Sequence, residues 1–101
     1  MPDPFEQFGD LTAHHQRELI APLRNPDGSI STVRTMVVGL DGWETIIPTI
    51  WEGKQLTGEE AVKRALKSGK KWPRFKTVDE ALATDKAWHQ QQGMYNPGEK
   101  Q

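Results

Sequence analysis

The sequence predicts an α+β domain: a β-hairpin packed with two short C-terminal α-helices, flanked by extended N- and C-terminal arms, with room for a short N-terminal helix. Three observations predict it. Residues 30–40 and 43–51 are rich in Val, Ile, Thr and Trp and are separated only by Asp41-Gly42, a two-residue hairpin signal. Thr57-Gly58-Glu59-Glu60 and Thr77-Val78-Asp79-Glu80 both carry the Thr-x-x-Glu spacing of a helix capping box. The 7 Pro and 9 Gly of the 101 residues gather at the ends and turns. That leaves a central apolar block of roughly sixty residues, near the lower limit for a self-sufficient core.

Residues 1–10 hold two prolines and a glycine around Phe5 and Phe8, and read as an arm too short and broken to build a core. Residues 11–20 can form a short helix with Asp10 as N-cap and Leu11, His15 and Leu19 on one face, ended by Pro22. The division expected is therefore an arm over 1–24, a domain over 25–90 and a second arm over 91–101. The domain opens on Asn25-Pro26-Asp27-Gly28, where Pro presets φ, Asp bonds its own backbone and Gly accepts positive φ. If Leu40 pairs with Trp43, Val33, Val37, Ile46 and Ile50 share one face of the hairpin. Met36, Val38, Leu40, Trp43 and Ile47 then share the other with Arg34, Thr45 and Thr49. Pro48 cannot donate to a ladder, so the second strand is an edge there or carries a bulge. A helix is expected over 58–68, with Ala61, Val62, Ala65 and Leu66 inward and Gly69 closing it. Trp72-Pro73-Arg74-Phe75 is an extended connector that drops two aromatics into the core. The second helix turns Val78, Ala81, Leu82 and Trp88 inward. The tail, with Gly93, Pro97 and Gly98, returns to arm composition.

Composition excludes several chemistries. With no Cys there is no disulfide, thiolate metal site or cysteine nucleophile. His14-His15 point apart on a helix and His89 lies far along the chain, so no metal site is read from them. Asp27-Gly28-Ser29 has no nearby base, and Gly39, Gly42 and Gly53 precede no phosphate loop, so neither a nucleophile nor a cofactor is expected. Glu59-Glu60 and Asp79-Glu80 sit where helix dipoles favour acids, which explains them without acid/base chemistry. No run approaches a membrane span, and Met1-Pro2-Asp3-Pro4 lacks the start of a signal peptide, so a soluble, unexported product is expected.

Two sets of residues are candidates for binding. Lys63, Arg64, Lys67, Lys70, Lys71, Arg74 and Lys76 are seven of 13 basic residues in a chain of net charge -1, with no acid between Ala61 and Val78. Such a run can contact phosphates, with Trp72 stacking on a base; the stronger reading is that it solvates a helix end or meets an acidic partner, with Trp72 in the core. Phe5, Phe8, Met94 and Tyr95 are candidate anchors for a protein partner, because the arms lack the periodicity or length to bury them internally, and Trp43 and Trp51, near the tip and the end of the second strand, are either core covers or further anchors.

The residues Asn25-Pro26-Asp27-Gly28-Ser29-Ile30-Ser31-Thr32-Val33-Arg34-Thr35-Met36, then Leu40-Asp41-Gly42, Ile46-Ile47-Pro48-Thr49-Ile50-Trp51 and Phe75-Lys76-Thr77-Val78-Asp79-Glu80-Ala81, form a spaced pattern over about residues 25–90. Together they resemble a small domain of tailed-bacteriophage virion-associated and internal virion proteins. The resemblance implies a non-enzymatic structural component of the particle, in capsid, head-to-tail junction, tail or interior, made in the host cytoplasm and located in the virion. Its implied partners are other virion proteins, in many copies or a symmetric ring, with no membrane. The alternative is a nucleic-acid-binding accessory protein using the basic segment 63–76. A weaker third reading is an accessory of a cell-wall hydrolase, since such domains accompany lytic transglycosylase segments in larger phage chains.

Overall fold

The hairpin forms where the turn chemistry places it. In the computed structural model, which describes residues 5–20, 22–31 and 34–91, strands β3 (Thr35–Leu40) and β4 (Trp43–Pro48) pair antiparallel with Leu40 opposite Trp43. Asp41 and Gly42 both take positive φ, 52° and 81°, the backbone of a type I′ turn. Val37 lies opposite Ile46 and Met36 opposite Ile47, as the expected register requires. Preceding them, β1 (Leu23–Arg24) and β2 (Ile30–Ser31) pair across the Asn25–Gly28 turn. There the Gly28 N–H donates to the Asn25 carbonyl at 3.0 Å and the Ser29 N–H to Asp27 Oδ1 at 2.9 Å.

The second strand is shorter than expected because the chain kinks after Pro48. Ile46 donates its N–H to the Pro73 carbonyl at 2.8 Å, so the nitrogen of Pro48, two residues on, faces the same side beyond the last pair of that ladder. A second hairpin follows, β5 (Ile50–Trp51) with β6 (Lys54–Gln55), turning on Glu52 and Gly53 at φ 53° and 74°. Glutamate is an unusual residue at positive φ, and Glu18 shows what holds it. The residue is 7% exposed, and its carboxylate accepts the Glu52 N–H at 2.9 Å and the Gly53 N–H at 2.8 Å. These are charge-assisted bonds, each worth about 1.5–3 kcal/mol when shielded from water.

Helix α2 (Gly58–Ser68) has its full capping box: Thr57 Oγ1 accepts the Glu60 N–H, Glu60 reaches back to the Thr57 N–H, and Gly69 closes the helix in the left-handed region. Thr77 caps α3 (Val78–Gln91) by accepting the Glu80 N–H at 3.1 Å. Between them the expected connector is a strand, β7 (Arg74–Phe75), paired with Glu44 and Thr45 of β4, giving the sheet order β3-β4-β7. Trp72 is buried and Phe75 packs against the core, as read from the sequence. Met36 rests against Gly58 of α2 while its neighbour Thr35 donates to Asp85 of α3 at 2.6 Å. Successive strand residues face opposite ways, so the two helices cover opposite faces of the sheet.

Residues 5–20 are not an arm. A 3₁₀ turn over Glu6–Phe8 leads into α1 (Gly9–Glu18), and Phe8, Leu11, His14, His15 and Glu18 are buried. Phe8 is 1% exposed and stacks on Trp88 of α3 at 5.4 Å, with Phe75 alongside at 6.5 Å. Trp88 is fully buried and donates its indole N–H to Thr12 at 3.1 Å. The folded block thus begins before residue 25, because three helices rather than two are needed to enclose the large aromatics. Asp10 is not the N-cap: the cap position is Phe8, without a side-chain bond, and the Asp10 carboxylate instead accepts the Lys71 N–H at 2.7 Å. Three residues read as inward face water, Leu66 (61% exposed), Val78 (46%) and Leu82 (53%), and so does Leu19 (51%), placed on one face with Leu11 and His15. In α2 the alanines Ala61 and Ala65 sit closest to the sheet. In α3 the inward stripe runs through Ala81 and Trp88, which rotates Val78 and Leu82 outward.

Candidate functional site

The start of α1, the tip of the first hairpin and the end of α2 enclose an open groove of about 640 Å³. Each wall is set by a bond across the fold. The Gln7 amide donates to the Arg74 carbonyl and accepts the Arg74 N–H, both at 3.1 Å, imitating a further strand on β7. Asp10 holds the Lys71 backbone, and the Trp72 indole donates to the Ala65 carbonyl at 3.1 Å, satisfying one of the open acceptors at the end of α2. Leu40, Leu66 and Trp72 supply an apolar lining, with Lys70, Lys71 and Arg74 beside Glu6, Asp10 and Asp41.

The basic run is divided among different surroundings. Lys63 pairs with Glu59 at 3.5 Å on the exposed face of α2, a contact worth about 0.3–0.5 kcal/mol. Arg64 bonds Glu52 at 3.1 Å and lies over the Trp51 ring at 4.8 Å, on a second groove lined by His14, Arg17, Glu18 and Ile20. Arg74 lies over Trp43 at 5.0 Å. Lys67 and Lys76 are exposed, and Lys70 and Lys71 line the first groove, whose lining also includes Glu6, Asp10 and Asp41. Seven cations close in sequence therefore do not share one uninterrupted positive face.

The aromatic anchors also sort differently from the expectation. Phe8 and Trp51, the latter 9% exposed, belong to the core, so neither is free to reach a partner. Phe5 is half-buried edge-on to Phe8 at 5.8 Å. Trp43 is half-buried beneath Arg74, and Met94 and Tyr95 lie outside the described residues. Among the described residues the large apolar side chains that remain open to a partner are aliphatic: Val78 and Leu82, one turn apart on α3, Leu66 on α2, Ile30 on β2, and Leu19 and Ile20 after α1, Ile20 being 88% exposed. A polar position on the α3 inward stripe, Asp85, hides this arrangement from a reading of apolar spacing. Its carboxylate accepts from Thr35 and lies 3.3 Å from His89 Nδ1.

His14 is 1% exposed; its Nε2 donates to the Ile50 carbonyl at 2.7 Å, and its ring meets Trp51 edge-on at 4.5 Å. Burial lowers its pKa below 6.5, against the opposing pull of the Ile50 carbonyl and Glu18, with Arg17 and Arg64 lowering it further. Burial likewise lowers His15, with the His89 and His14 charges adding to it. Both folded values lie below the unfolded one, so the unfolded chain binds more protons near pH 6 and stability declines as pH falls through about 6.5. The melting temperature is expected to drop between about pH 8 and pH 5, with proton uptake on unfolding seen by calorimetry in buffers of different ionisation enthalpy. A flat profile across that window contradicts the burial of these rings. Among the described residues no cluster of three His, Asp or Glu side chains can hold a metal ion, and no helix is long and apolar enough to cross a membrane. No known family model, curated protein or solved structure matches the chain.

Proposed function

We propose that this chain is a non-enzymatic structural component of a tailed-bacteriophage particle that binds neighbouring virion proteins. The observation that carries the binding role is the outward placement of Leu66, Val78 and Leu82, aliphatic side chains 46–61% exposed on the helices that cover the two faces of the sheet. A partner that covers them gains about 25 cal/mol for each Å² of apolar surface removed from water. The particle location rests on the resemblance, and its shared residues have structural roles here. Asn25 Nδ2 donates to Ser29 and Ser31, and Arg34 donates to Asn25 and Gln55, which ties the first turn to the second hairpin.

Contact with nucleic acid through residues 63–76 has less support, because Lys63 and Arg64 pair with Glu59 and Glu52 and Arg74 lies over Trp43. A phosphate binder loses affinity steeply between low and moderate salt, which a titration with duplex DNA reads directly. For the protein-binding role, Val78→Asp with Leu82→Asp is expected to leave the melting temperature within a few degrees of the parent, since both side chains already face water. Incorporation into particles is expected to be lost. Incorporation equal to the parent, by a folded double variant, overturns α3 as the docking face.

A further inference from the structure

The three-stranded sheet closes one edge and leaves the other open. At β7, the outward N–H and C=O of Arg74 are both taken by the Gln7 side chain. At β3 the flanking pair of the two-residue turn, Leu40 and Trp43, exchanges hydrogen bonds, so alternate residues Thr35, Val37 and Gly39 turn their backbone groups away from β4. The Thr49 N–H reaching the Arg34 carbonyl at 2.7 Å fits the same alternation. Among the described residues, no hydrogen bond reaches those outward N–H and C=O groups. Natural edges are commonly guarded by a charge, a proline or a bulge; Thr-Met-Val-Val-Gly-Leu has none.

We propose that β3 is the edge through which the chain pairs with a second copy of itself, antiparallel about a two-fold axis at Val37. In that register Val37 meets Val37 and Thr35 meets Gly39, each as a hydrogen-bonded pair, so every outward backbone group of both strands is satisfied and the two sheets become one. Charge selects the direction. Arg34 stands exposed at one end of the strand and Asp41 at the other. Antiparallel pairing sets each Arg34 opposite Leu40, one residue from the Asp41 of the second copy, whereas parallel pairing sets like charge beside like. Met36, Val37, Val38 and Leu40 are half-buried, and a strand on the open side gives each of them a cross-strand neighbour. The pairing is a property of the chain alone and does not depend on its location in a virion.

Sedimentation of the full chain across a dilution series tests it, together with amide hydrogen exchange. The chain is expected to dimerise, and the Val37 and Gly39 amides to exchange more slowly as concentration rises. Gly39→Pro removes an outward donor and no bond of the hairpin, and a side chain there meets only the Glu44 carboxylate at 4.0 Å. It is expected to weaken association by about tenfold or more while far-ultraviolet circular dichroism and melting stay as in the parent. Should proline disturb the hairpin, Gly39→Lys places a charge on the edge without touching the backbone, with the same expected loss. A chain that stays monomeric up to about 1 mM overturns the proposal. So does a dimer that both variants leave intact, or an edge that protects its amides only with a strand from a different protein.

Discussion

Shortened to residues 22–91, the chain is expected to lose its cooperative fold. The missing segment carries Phe8, Leu11, His14 and Glu18, all buried, and three of them reach different parts of the rest. Phe8 lies on Trp88, His14 bonds the Ile50 carbonyl, and Glu18 holds the Glu52-Gly53 turn. Losing a buried Phe costs about 3–5 kcal/mol and a buried Leu about 2–5 kcal/mol. Those two terms already approach the roughly 5–15 kcal/mol that stabilises a domain of this size. Removal also strips cover from Trp51, Trp72 and Trp88, which leaves a large apolar surface to aggregate. Thermal melting followed by circular dichroism checks this, and a sigmoidal transition within a few degrees of the full chain contradicts it.

The second large effect is at Trp88. It is fully buried, stacked on Phe8, and bonded through its indole N–H to Thr12, so it joins α3 to α1 at one point. Trp88→Ala is expected to cost about 3–5 kcal/mol in urea unfolding. Trp88→Phe keeps the stack and loses the hydrogen bond, with an expected cost nearer 1–2 kcal/mol. Because Phe8 and Trp88 touch, the costs of Phe8→Ala and Trp88→Ala should not add: once one ring is gone, the other has lost its neighbour. Additive costs contradict the stacked arrangement.

Local chemistry is what the sequence displays best. Asp41-Gly42 names its turn because few dipeptides accept two positive φ values, and Thr57 with Glu60 names a helix start because both ends of the reciprocal bond lie within four residues. The register of the hairpin follows from the turn alone. What is hidden depends on contacts distant in the chain. Phe8 reads as an arm residue because its partners, Phe75 and Trp88, lie far away in sequence, and a Pro- and Gly-bearing segment gives no periodic hint of them. The Glu52-Gly53 turn is hidden because Glu rarely takes positive φ, and it does so beneath the Glu18 carboxylate. In α3, Asp85 interrupts the inward stripe with a polar residue that Thr35 satisfies, so apolar spacing favours Val78 and Leu82 instead. That misplacement concealed the exposed aliphatic face, the feature on which the proposed docking role depends. The basic run misleads in the opposite way: it is contiguous along the chain, but the turn at Gly69 and the strand at Arg74 send its members into separate grooves.

The proposed role in the particle is tested most directly by quantitative mass spectrometry of phage particles purified from cells that produce this chain. A structural component is expected to co-purify through successive density gradients at a fixed ratio to the major particle proteins, and to stay with particles after high-salt washing removes loosely held nucleic-acid-binding proteins. A chain abundant in infected cells but absent from washed particles contradicts the proposed function.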